Sequence, residues 1–165
     1  MKELLSALID SLREELKEYG EMLALLEQEQ GMVMRRHTQD LLQCVTAINS
    51  QAENIAAARN QREQHQRHLA RQLGLPEDAL FNLILPKLPE DYRPLVDALV
   101  RENNELLIRV RQRARQNHLL LNRVVELMQR FLGSFFPGQT PATYGEDGQM
   151  LAAGLGGRSL YDSVG

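Results

Sequence analysis

The hydrophobic positions of this chain fall into three long runs with one rhythm. Leu5, Ile9, Leu12, Leu16, Tyr19, Leu23 and Leu26 are separated by alternating steps of four and three residues. Such steps hold one seam of a helix against a neighbour crossing at a shallow angle. Leu41, Val45, Ile48, Ala52, Ile55, Arg59, Arg62, Gln66, Leu69 and Leu73 repeat the pattern. Val96, Leu99, Asn103, Leu106, Val110, Arg113, Asn117, Leu120, Val124, Leu127 and Phe131 repeat it once more. Three long helices are predicted. The second seam turns polar at Arg59, Arg62 and Gln66, which predicts looser or wetter packing there.

Punctuation between the runs sets the boundaries. Gly31 is a candidate end for the first helix, although Met32 to Met34 can also carry it on. Thr38 is a fair N-cap for the second helix, with Asp40 well placed in its first turn. Gly74 stops that helix and Pro76 follows it. In LPEDALFNLILPKLPEDY, residues 75–92, Leu80, Phe81, Leu83, Ile84 and Leu85 predict a short buried helix, broken by Pro86 and Pro89. It reads as a cap over one end of a long hairpin. The third long helix runs from about Pro94 to Leu132.

Late in that helix a second apolar row appears: Leu121, Val125, Met128, Leu132 and Phe135. At ~100° per residue the two rows together span about 160° of helix surface, wider than a two-helix seam requires. Either the bundle covers this width, or part of it stays open for an amphipathic helix from another protein. Met22 and Met128 suit an adaptable groove. Leu107 and Leu119 are weaker candidates for the same contact.

Composition changes abruptly after the helices. Residues 133–165 hold eight of the 11 glycines, yet keep Tyr144, Met150, Leu151, Leu155, Leu160, Tyr161 and Val164. Two readings fit: a frayed terminus, or a segment disordered alone that orders against its own bundle or a partner. The fold class expected is all-α: an elongated antiparallel helical hairpin or bundle of three long helices, with a short helical cap and a flexible C-terminal tail. The division expected is a bundle domain over 1–136 and a Gly-rich tail over 137–165.

Charge and chemistry add mainly exclusions. A net charge of −3 gives no global pull toward nucleic acid or an anionic membrane. No run approaches the ~18–20 apolar residues of a membrane span, and MKELLSALIDSLREELKE has no signal-peptide core, so a soluble, cytoplasmic protein is expected. The single Cys44 sits in an Ala/Leu/Val-rich helical pattern and reads as a core residue. His65 and His68 lie three apart but lack the frame of a metal site, and His37 and His118 have no identifiable partner. No phosphate loop and no catalytic constellation is present, so neither enzyme activity nor a cofactor is expected. In RVRQRARQ, Arg109 and Arg113 share one side while Arg111 and Arg115 lie nearly opposite, the pattern of a solvated helix rather than of a nucleic-acid contact.

Over most of its length the chain resembles the FlgN family of flagellar export chaperones. The likeness rests on the Leu-rich first helix and the long polar second helix ending in LARQLGLP, Leu69 to Pro76. ENNELL at Glu102 to Leu107 and YGEDGQ at Tyr144 to Gln149 complete it. The tail runs 16 residues past Gln149, through AAGLGG to LYDSVG, with no matching motif. The resemblance implies a cytoplasmic chaperone that holds the amphipathic C-terminal segments of the hook-associated, hook–filament junction proteins before type III export. Export apparatus components are further partners under that reading. The contact residues expected are Leu121, Val125, Met128, Leu132 and Phe135, then Tyr144 and the turn of Gly145, Asp147 and Gly148. A self-assembling structural coiled-coil adaptor is the alternative from another class.

Overall fold

The computed structural model describes residues 1–35 and 38–135. Among these the elements are α1 (Lys2–Arg35), α2 (Thr38–Gln72), the short α3 (Phe81–Ile84), a 3₁₀ turn (Leu85–Lys87) and α4 (Arg93–Phe135). No strand occurs among the described residues, and the all-α architecture of three long helices and a cap holds. The expected tail over 137–165 lies outside the described residues.

α1 packs along both other long helices, so it buries two faces rather than one seam. Toward α2, Ala7, Glu18 and Leu25 meet His65, Gln51 and Cys44, in antiparallel order. Toward α4 the order is parallel. Asn103 Nδ2 donates to the Leu12 carbonyl at 3.0 Å, and Asn117 Nδ2 donates to the Leu26 carbonyl at 2.7 Å. Both contacts have the same sequence offset, so two seam asparagines fix the register of α4 on α1. Replacing them by leucine would keep the seam apolar but remove that specification.

Two apolar clusters fill the interior. At the capped end Leu5, Leu8, Leu12, Leu69, Phe81, Ile84, Leu88, Val96 and Val100 pack together, which is the lid the Leu/Pro segment predicts. The α-helix of this segment stops at Ile84 ahead of Pro86, as expected, and Pro86 sits inside the 3₁₀ turn that follows, where its fixed φ is tolerated. Farther along, Tyr19, Met22, Leu26, Cys44, Ile48, Ile55, Leu107 and Val110 join all three long helices.

Two boundaries show how local signals fare. α1 runs through Gly31 to Arg35, because a glycine in a packed helix is a cost of only about 1 kcal/mol that tertiary contacts outweigh. Gly74 does end α2. Its φ is +70°, Gly74 N–H donates to the Arg71 carbonyl, and Leu75 N–H donates to the Ala70 carbonyl. That is the bonding pattern of a Schellman motif, and Leu75 packs on the capped cluster beside it.

The polar stretch of the α2 seam is closed by interhelical hydrogen bonds and ion pairs rather than loose. Arg62 is buried, and its Nε donates to the fully buried Glu15 carboxylate of α1 at 2.9 Å. Tyr19 Oη donates to Glu15 Oε1 at 2.8 Å and accepts from Arg59 at 2.8 Å. Arg62 Nη1 continues to Gln66 Oε1, whose Nε2 donates to the Ala79 carbonyl. Each charge meets its complement across the helix pair, which a one-helix pattern does not display. Burial, with the adjacent Glu15 carboxylate, pushes the Tyr19 hydroxyl up to about 12.

Candidate functional site

On α4 the buried face ends at Asn117. Val96, Asn103, Val110 and Asn117 occupy one side of the helix, and at ~100° per residue Leu121, Met128, Leu132 and Phe135 continue that same side. The register explains why the continuation is open. With Asn103 on Leu12 and Asn117 on Leu26, Arg35 at the end of α1 lies level with Glu126. The last turns of α4 therefore extend past the helix that covers the rest of it.

Exposure follows that geometry. Leu121 is half-buried, Val125, level with Met34 in the last turn of α1, is 42% exposed, and beyond α1 Met128 is 59% and Phe135 64% exposed. Leu132 is exposed as well. Five of the expected contact residues thus share one face. Leu107 is buried in the core, and the exposed Leu119 lies on the far side of the helix. Tyr144, Gly145, Asp147 and Gly148 lie outside the described residues.

Two residues not among the expected contacts border this face. Leu127 and Phe131 belong to the first seam, yet they are as open as the second row. Phe131 and Phe135 meet edge to face, with ring centroids 4.8 Å apart, one turn from each other. Met34 and Leu42, at the same end of the α1–α2 hairpin, are exposed too. The signal that finds these residues is not hydrophobicity but the difference in length between α4 and α1.

Other chemistry-bearing residues are engaged in packing. Cys44 is buried, its Sγ donates to the Leu25 carbonyl at 3.5 Å, and burial pushes the thiol up from its ordinary range. His65 Nδ1 donates to the Ala7 carbonyl at 2.9 Å, while His68 faces solvent. Among the described residues no three His, Cys, Asp or Glu side chains gather as metal ligands do. Arg113 reaches Gln30 and Glu27 of α1, an interhelical use of the arginine run. An open depression of about 570 Å³ lies at the hairpin end, lined by Glu27, Gln28, Gly31, Met32, Arg35 and Asp40. No described helix is long and apolar enough to cross a membrane.

What the arrangement offers is an apolar helix face about four turns long, partly exposed at Leu121 and open from Val125 onward. No curated protein and no solved structure matches the chain. The family model described as "FlgN protein" matches residues 1–152, which takes in the three long helices, the cap, the open face and the stretch from Tyr144 to Gly148. By that match, and with the helical architecture its sequence patterns predict, this chain belongs to the FlgN family.

Proposed function

We propose that this protein is a flagellar export chaperone that binds the amphipathic C-terminal segments of hook–filament junction proteins. Family membership supports a chaperone role in flagellum assembly. The observation that carries the finer reading is the open continuation of the α4 core face, from Leu121 to Phe135. A client helix laid there takes the position a longer α1 would hold, and buries apolar surface on both sides. Covering a client's sticky segment in this way blocks its premature self-association in the cytoplasm, before the type III export apparatus receives it. Tyr144, Gly145, Asp147 and Gly148 are the proposed second contact.

Calorimetric titration with the C-terminal segments of the two junction proteins tests this. Stoichiometric binding with a negative heat-capacity change is expected. The double variant Val125→Asp, Met128→Asp should keep its helicity and lose at least about tenfold in affinity, since both side chains are exposed and would face the client. A truncation ending at Gly138 that loses affinity would assign part of the site to the tail. If the double variant unfolds, these residues serve the core. If the folded wild type binds neither segment, the self-assembling adaptor takes precedence, and its thermal stability should then rise with protein concentration.

A further inference from the structure

Between Arg109 and Phe135 the chain places six arginines and one acidic residue, Glu126, although its net charge is −3. Arg113 is committed to α1 through Gln30 and Glu27. The guanidinium groups of Arg109, Arg123 and Arg130 pair with no described residue. Arg109, Gln116, Arg123 and Arg130 are spaced by seven, so they form one row that drifts slowly along the helix. The row begins beside a shallow groove between α1 and α4, lined by Leu23, Glu27, Arg109 and Gln116. It then runs along the edge of the open face, where Arg123 and Arg130 bracket the exposed Leu127 one turn to either side. The opposite edge carries Asn122 and Gln129. The face is therefore bordered by positive charge on one side only.

We propose that the segment taken up by this face is an amphipathic helix with acidic residues along the edge that meets Arg123 and Arg130. This rests on the chaperone reading above and adds the charge of the partner to it. In a shallow helix pair, residues flanking one apolar seam face those flanking the other, so a row of like charge selects its complement and sets which way the partner lies. The same row disfavours antiparallel pairing with a second copy of this chain. Two α4 ends packed antiparallel through this face bring like edges together, Arg123 of one against Arg130 of the other, and that repulsion is a device against self-pairing. An acid-edged client satisfies both the apolar strip and the guanidinium groups of Arg123 and Arg130.

The test uses the full chain and three synthetic three-heptad helical peptides that share one apolar seam. Their edges are all Glu, all Gln or all Lys, and the two junction-protein segments are titrated alongside. The Glu-edged peptide should bind roughly fivefold tighter than the Gln-edged one at low salt and lose that advantage near 1 M salt. The variant Arg123→Glu, Arg130→Glu, whose fold is checked by circular dichroism, should prefer the Lys-edged peptide instead. Equal affinity for all three peptides, with the junction segments still bound, overturns the charge inference and leaves the chaperone reading standing. Failure of every peptide and both segments overturns the two together. Co-sedimentation of the wild type, but not the charge-reversed variant, with phosphatidylglycerol vesicles, without any peptide preference, would assign the arginine row to a lipid surface and overturn the proposal.

Discussion

Glu15 and Glu29 lie on α1, both buried, in opposite electrostatic circumstances. The Glu15 carboxylate accepts from Arg62 and Tyr19, with Arg59 beside it, so its charge is matched across the α1–α2 interface. Removing Arg62 alone would leave that carboxylate buried with its main partner gone, a type of change that costs about 3–5 kcal/mol. Glu29 has the Asn117 amide as donor, at 2.7 Å. Burial pushes its carboxyl up from the ordinary value by more than that hydrogen bond pulls it down. A raised folded value means that the native state holds the proton more tightly than the unfolded chain does. Its contribution is therefore favourable below about pH 4.5 and is lost as pH rises through the folded value. Glu29→Gln should consequently stabilise the protein at pH 7, by about 1 kcal/mol, because the amide keeps an acceptor for Asn117 without the buried charge. At pH 4 the gain should shrink toward zero. Urea unfolding midpoints of both proteins at the two pH values decide it; an equal gain at both would show that charge burial is not the cause.

Helices are where the sequence is most informative, and the failures there share one cause. The four-and-three spacing marks α2 and α4 correctly, and the Leu/Pro segment yields its cap. The spacing gives α1 a single seam, however, whereas Glu15 and Glu18 are buried against α2 and Glu29 against Asn117 of α4. The apolar steps of α1 pass over these carboxylates, whose partners Gln51, Arg62 and Asn117 lie on other helices. Gly31 failed as a stop because interhelical packing outweighs propensity, while Gly74 succeeded because its backbone conformation is one that side chains resist. The contrast makes an element-level prediction. Gly20 sits in mid-α1 with nothing within 4 Å of an added Cβ, so Gly20→Ala should stabilise by about 0.5–1 kcal/mol. Gly74 also has space for a Cβ, yet its φ of +70° makes Gly74→Ala cost about 1 kcal/mol. Thermal midpoints should move in opposite directions. A drop for Gly20→Ala would mean that α1 needs a flexible point there.

At the scale of the whole molecule, the decisive quantity is a mismatch of lengths. α4 has 43 residues and α1 has 34, and the two asparagine contacts hold them so that all the excess emerges at one end. The sequence displays the apolar face of that excess but not its exposure, because exposure depends on where the neighbouring helix stops in space. Gly31 and the Arg36–His37 junction give no clear stop, and the register is set by two polar residues inside an apolar seam. If the overhang is a docking surface rather than a part of the fold, the two roles separate by truncation. A chain ending at Glu126 keeps every buried residue of α4 and loses Leu127, Met128, Phe131, Leu132 and Phe135. Its thermal midpoint should stay within about 3 °C of a chain ending at Gly138, since little buried area goes with the deletion. Its affinity for junction-protein segments should fall below detection, while the Gly138 chain retains whatever the open face alone supplies. A fall of about 10 °C or more in the shorter chain would place the overhang in the stabilising core, and undiminished binding would move the client site onto the bundle below Asn117.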